Sequence, residues 1–276
     1  MKLKKLEDLL QAEFAVSMVG QTMNVSVFFI DGLLIDTGPK RHKQMLTALF
    51  ENWDIEKVAI THHHEDHTGV AHWIEERNKA PIFMHPLGVE ICAKKVKLPF
   101  YRKVYWGGVK PFQAQPIDET FDTENYTWKA IHTPGHAEDH IALYNQEKGW
   151  LFGGDLYVPA KPKSAFRFES VPEIIRSLRK LLTYDFETYI CSHQGVVFEG
   201  KKAIREKLDY LLSLQQEVLF LFNKGMTPRE IRKELLPKRH KMHYLSLFEN
   251  SPMHFIHSVI GEDALSKRSF EKETLN

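Results

Sequence analysis

The segment THHHEDHTG at residues 61–69 constrains this chain more than any other, because it is entered directly from the apolar run Val58-Ala59-Ile60. Four side chains able to bind a metal, His62, His64, Asp66 and His67, fall within six positions. On extended backbone, residues two apart point the same way, so His62 and His64 can grip one ion while His63 faces elsewhere. Asp66 and His67 follow at the entry of a helix, marked by the apolar spacing of Val70, Trp73 and Ile74, and can reach a second ion. A cluster this dense at the end of a buried strand reads as a metal site, and the 15 histidines of the chain agree with that reading.

Three later segments repeat one arrangement of strand, tight turn and ligand-type residue. TPGHAEDH places His136 after a Thr-Pro-Gly turn, LFGGDLY places Asp155 after two glycines, and YICSHQG places His193 at the end of an apolar strand. Sheets gather side chains at one rim in this way. His140, four residues after His136, is expected to orient a ligand from behind. His63, His72, His85 and the C-terminal His240, His243, His254 and His257 read as ordinary polar positions, His132 fits either reading, and Cys191 reads as a small buried residue.

The order HxHxDH, TPGH, GGD and SHxG, preceded by Asp36 in LLIDTG, resembles the metallo-β-lactamase superfamily over about residues 20–200. The resemblance implies a four-layer αββα sandwich of the α/β class with metals at one edge. It implies that His62, His64 and His136 hold one ion, that Asp66, His67 and His193 hold a second, and that Asp155 bridges them. Asp36 is implied to support the site without binding metal. Two Zn²⁺ ions are expected, with Fe or Mn as alternatives. Two divalent ions against Asp66, Asp155 and a bridging hydroxide leave a net charge of about +1, which favours an anionic transition state. Asp66 and Asp155 are therefore the catalytic carboxylates expected of a metal-dependent hydrolase.

Elsewhere the patterns are plainer. Residues 23–36 read as two strands around the hairpin turn Asp31-Gly32. Helical spacing spans 41–52 and 171–183, and strands are expected at 81–84, 126–132, 140–144, 149–153 and 188–191. Residues 92–118 read as a long irregular loop, with at most one helical turn, that can arch over the site. From about 200 onward only helices are expected, including one that opens at Thr227-Pro228. The expected division is a catalytic domain at 1–200 and a helical C-terminal extension at 201–276.

A net charge of +1 provides no general attraction for nucleic acid or an anionic membrane. Two cysteines about 100 residues apart suit a reducing compartment better than a disulfide framework. The first residues lack the apolar run of a signal peptide, so a soluble, cytoplasmic protein is expected, with a homodimer admissible. The expected substrate is a small molecule with an ester, thioester, lactone or related bond. Tyr105, Trp106, Tyr157, Lys161 and Arg167 are the candidates to contact it, the cations meeting a carboxylate or phosphate. Among superfamily branches, the glyoxalase II, lactonase and LACTB2-like types fit best. GMTPREIRKELL resembles the opening helix of a LACTB2-like winged-helix appendage, but no wing strands follow. The alternatives are a LACTB2-like ribonuclease or phosphodiesterase, a mononuclear iron oxidoreductase of the persulfide dioxygenase type, and a metal-binding scaffold without turnover.

Overall fold

Strict two-residue alternation along the central strands builds three separate apolar layers. The structure, a computed structural model, describes residues 1–18, 20–158, 160–238, 240–262 and 264–265. Seven strands follow in chain order across the first sheet: β1 (Lys2–Leu6), β2 (Leu9–Met18), β3 (Gln21–Ile30), β4 (Leu33–Ile35), β5 (Lys57–Ala59), β6 (Ile82–Met84) and β7 (Gln115–Pro116). The first four pair antiparallel, and β4 through β7 pair parallel. The second sheet uses β8 (Thr120–Asp122), β9 (Thr127–His132), β10 (Ile141–Asn145), β11 (Trp150–Phe152), β13 (Thr188–Cys191) and β14 (Gly195–Val197). Their order is β14-β13-β11-β10-β9-β8. The short β12 (Ala165–Phe166) pairs instead with β15 (Asn250–Ser251) near the chain's end.

In β10, Ile141 and Leu143 join Phe28, Ile30 and Trp128 between the two sheets, whereas Ala142 and Tyr144 face outward into another core. Tyr189, Ile190 and Cys191 of β13 alternate in the same way. The outward core of the second sheet is closed by α6 (Val171–Leu181), α7 (Gly200–Asn223), α8 (Pro228–Leu235) and α10 (Pro252–Ile260). The outward core of the first sheet is closed by α1 (Lys43–Phe50), the broken helix from Glu65 to Asn78, and α5 (Phe100–Trp106). The result is the αββα sandwich. At roughly 25 cal/mol per Å² of apolar area removed from water, these three interfaces supply the main stabilisation.

Several local features depart from the sequence reading, each for a physical reason. The first 18 residues form strands β1 and β2, and β2 pairs with β3 over nine residue positions. The lysines of β1 mark an exposed sheet edge, where charge discourages pairing with another chain. The helix expected from about Asp66 runs as α2 (Glu65–Thr68), then α3 (Ala71–Trp73), then a π-type turn at Ile74–Asn78. Thr37 explains the break, since its N–H and Oγ1 donate to the His67 carbonyl and Oγ1 accepts from Val70 N–H. The 92–118 segment contains a two-turn helix, α5, held by tertiary contacts: Tyr105 OH donates to the Val16 carbonyl, and Arg102 forks onto Glu65. The tail is not purely helical, because β15 ties it to β12. Thr227 does open α8, through a capping box with Glu230. No described helix is long and apolar enough to cross a membrane.

Candidate metal centre

β4, β5, β9, β11 and β13 all run in the direction that brings their carboxyl ends to one edge of the sandwich. Each is followed by a turn carrying a residue singled out above: Asp36, His62, His136, Asp155 and His193. The Gly153-Gly154 pair makes the β11 turn feasible. A Cβ on Gly153 would lie 1.8 Å from the Tyr189 hydroxyl, and Gly154 adopts φ +48° against the His140 ring.

The seven side chains converge as two groups. His62, His64 and His136 form one, and Asp66, His67, Asp155 and His193 form the other, with all ligand atoms of each group within 4.8 Å of one another. In the first group His62 Nε2 and His136 Nε2 lie 2.9 and 3.1 Å from His64 Nδ1. In the second, His193 Nε2 is 3.0 Å from Asp155 Oδ2 and 3.3 Å from Asp66 Oδ2, while His67 Nε2 is 3.4 Å from Asp155 Oδ1. Asp155 Oδ2 also stands 3.4 Å from His136 Nε2, so this one carboxylate reaches both groups.

These residues fit divalent cations. Nitrogens bound tetrahedrally at about 2.0–2.1 Å stand roughly 3.3 Å apart, close to the spacing seen here. His67 Nε2 and Asp155 Oδ1 are buried and have no hydrogen-bond partner among the described residues, which is costly unless something else occupies them. The opposite nitrogens of four of the five histidines are engaged. His136 Nδ1 donates to Glu169 (2.8 Å), His67 Nδ1 to Asp36 (2.7 Å), His193 Nδ1 to the Asn24 carbonyl (2.5 Å) and His62 Nδ1 to Thr61 Oγ1 (3.1 Å). Each contact leaves the inward Nε2 lone pair free, as metal-binding imidazoles require.

The electrostatics divide between the groups. Burial and the neighbouring imidazoles hold His62 well below the ordinary imidazole range, and burial with Arg102 and His136 does the same to His64. Both rings stay neutral and able to bind. Burial opposes charge on His67 and His193 too, but Asp36, Asp155 and Asp66 outweigh it and raise both well above that range. Burial likewise works against the Asp155 carboxylate, yet His193 and His67 keep it well below the usual carboxylate range. Without metal, two protons thus stand where a cation would.

Asp36 is 1% exposed, with φ 59°, and supports this edge from below. It accepts hydrogen bonds from Thr61 N–H (2.8 Å), Thr61 Oγ1 (2.9 Å) and His67 Nδ1 (2.7 Å). Asp36→Asn should weaken metal binding by about 10–100-fold. Chelator competition should show the loss, and a metal affinity unchanged from that of the parent protein would refute a supporting role for Asp36. His140 is fully buried, and burial followed by His136 pulls it down to about 3. Its Nε2 accepts from the backbone N–H of Asp155 (3.2 Å), so it shapes the turn, and its ring packs against that of His62 with centroids 5.2 Å apart. His63 turns away to pair with buried Asp139 (2.7 Å).

Two cavities adjoin the centre. One of about 70 Å³ lies under α5 and is lined by Met18, Met23, Tyr105, Trp106, Phe168 and Arg102 among others. The other, about 430 Å³, lies between the turn after Asp155 and the C-terminal helices, and Lys161 is on its wall. Of the expected substrate-contacting residues, Tyr105 and Trp106 line the smaller cavity and Lys161 the larger. Tyr157 packs on Tyr189 and lies under the Lys207 ammonium, and Arg167 is solvent-exposed; neither lines either cavity. Glu169, Thr61, Met242 and Lys207 escaped the sequence reading. Their partners are distant in sequence, and only the Ser170-Val171-Pro172 helix start hinted that Glu169 is fixed in place.

Comparison with known proteins agrees with this edge. The profile of the Metallo-beta-lactamase superfamily matches residues 21–193. A beta-lactamase-like protein 2 homolog of Caenorhabditis elegans is 28% identical over 196 residues, covering 68% of this chain and 60% of the relative. The chain thus spans less than two thirds of that relative's length. A hydroxyacylglutathione hydrolase of Idiomarina loihiensis is 30% identical over 142 residues, 51% of this chain and 47% of its own. The crystal structure of a metallo-beta-lactamase family protein from Thermus thermophilus superposes with a TM-score of 0.65 at 18% identity. The match covers 96% of this chain and 95% of that one, and the two share the fold.

Proposed function

The chain belongs to the metallo-beta-lactamase superfamily, and from that premise we propose that it is a dinuclear zinc hydrolase cleaving a thioester or related ester of a small molecule. The observation that carries this reading is the pair of ligand groups joined by Asp155, whose two oxygens face different histidines. His62, His64 and His136 would hold one ion and Asp66, His67 and His193 the other, with Asp155 between them. Bound there, the metals would lower the pKa of water towards about 7 and polarise the scissile carbonyl.

The protein's own groups supply the rest. Asp66 stays ionised because His67 and His193 outweigh the cost of its burial. Asp66 and Asp155 are therefore the carboxylates able to orient the attacking water and take its proton. Glu169, Asp36 and the Asn24 carbonyl fix three imidazoles so that none must reorient during the reaction. Trp106, Tyr105 and Phe168 exclude bulk water from the acyl side. A thioester is favoured over a lactam because the smaller cavity is a narrow apolar slot, suited to a flexible acyl chain. The name of the Idiomarina relative, a hydroxyacylglutathione hydrolase, points to the same class.

The test is metal analysis followed by a panel of thioester, lactone, phosphodiester and β-lactam substrates. The expected result is two zinc ions per chain, with kcat/KM for a thioester at least about 100-fold above that for a β-lactam. One iron per chain with oxygen uptake on glutathione persulfide, or preferential cleavage of the phosphodiester, would overturn the proposal.

A further inference from the structure

The two cavities share Met23, His136, Asp155, Phe166, His193 and Met242, so they form one groove running across the metal centre. Its two ends differ in charge. Among the described residues, the smaller end has one cation outside the metal centre, Arg102, and both arms of that guanidinium are taken by Glu65 at 2.6 and 2.7 Å. The larger end carries Lys161, Lys163 and Lys207. None of these three pairs with a carboxylate among the described residues. The only acids on that wall, among the described residues, are Asp155, in the metal centre, and Glu169. The oxygens of Glu169 are taken by His136 Nδ1 (2.8 Å) and Phe166 N–H (2.7 Å).

Lys207 is the telling residue. It projects from α7 with 2% exposure and donates one hydrogen bond, 2.7 Å long, to the Leu156 carbonyl beside Asp155. The ammonium also stands over the Tyr157 ring, 5.9 Å from its centroid, and because only one of its three N–H groups makes a hydrogen bond, donors remain for whatever enters the cavity. Burial, only partly offset by Glu169, pulls the amine down to about 8, so it still carries its proton at neutral pH. A buried cation without an acid is costly, and a bound anion offsets that cost. Lys161 and Lys163 stand at the exposed mouth, in a segment with no acidic residue between Asp155 and Glu169.

We infer that the groove is polarised: the substrate lies across the centre with an uncharged apolar acyl portion under α5. Its leaving part ends in an anionic group, phosphate or carboxylate, held by Lys207, Lys161 and Lys163. This assignment rests on the hydrolase reading above, and it adds the substrate's direction and the charge of its leaving part.

Three butyryl thioesters test it, those of coenzyme A, of glutathione and of uncharged N-acetylcysteamine. Lys207→Met, and separately Lys161→Ala with Lys163→Ala, should raise KM about 10-fold or more for one of the two anionic thioesters. KM for the neutral thioester should stay within about twofold. A rise confined to the coenzyme A ester assigns a phosphate, and one confined to the glutathione ester assigns a carboxylate. The double variant alters only exposed side chains, so it remains informative if Lys207→Met folds poorly. Thermal stabilisation by millimolar sulfate provides a second readout that needs no turnover. It should be present in the parent protein and diminished in both variants. If no thioester is hydrolysed but the sulfate response depends on the lysines, the anionic end stands and the thioester reading falls. Equal KM changes for all three esters, or an equal sulfate response in all proteins, would overturn the polarised groove.

Discussion

Asp155→Ala should abolish turnover, lowering kcat by about 10³-fold or more under metal-saturating conditions. The side chain reaches His136, His67 and His193 at 3.0–3.4 Å, and among the described residues no other carboxylate touches both ligand groups. Truncation removes the contact that joins the groups and leaves His67 and His193 without their nearest counter-charge. Mass-spectrometric metal content measured beside the steady-state rates separates the effects, with loss of part of the metal expected. Near-normal activity with a full metal complement would refute the bridging role. Asp155→Asn, which keeps the shape of the side chain, should lie between the two but closer to the alanine variant.

The second large effect concerns metal removal and its dependence on pH. Binding of cations to the folded chain alone should raise its stability, so a chelator should lower Tm by on the order of 10 °C. In the metal-free chain the raised His67 and His193 contribute stability that is fully present below about pH 6.5. That contribution is lost as pH rises through their folded values. His62 and His64 act oppositely. The folded chain keeps them neutral, so stability falls once the unfolded chain takes up protons below about pH 6.5. The metal-loaded protein must expel the His67 and His193 protons to form, and its loading grows more favourable with pH. The Tm difference between loaded and chelated protein should therefore widen from about pH 6.5 upward. Titration calorimetry in buffers of different ionisation enthalpy should show proton release on loading. A difference that narrows over this range would contradict the assignment.

Much of the architecture was readable along the chain because its signals are local. Alternation in Ile141–Asn145 and Thr188–Cys191 follows from burial on both faces of a strand, and the Asp31-Gly32 turn takes positive φ at both positions. The ligand-bearing segments stood out because strand, turn and ligand are adjacent in sequence. What could not be read depends on distant partners. Helix α5 has seven residues, four of them aromatic, and is held by Val16 and Glu65 rather than by its own propensity. The break after Thr68 comes from Thr37, some thirty positions upstream. The Glu169 contact to His136 and the placing of Lys207 beside Leu156 span 33 and 51 positions and leave no periodic trace.

The C-terminal segment gives none of the seven converging side chains, yet Met242 lines both ends of the groove and Leu245, Asn250 and Phe255 line one or the other. The β12–β15 pairing pins that segment to the rim. Part of what shapes the groove is consequently written in a stretch of the chain that supplies no ligand residue. Mutation in the tail can redraw what the groove admits while the histidines and carboxylates stay as they are. A lineage built this way can diversify its diet without reinventing its catalyst, and the segment around residues 240–255 is where that history should have left its marks.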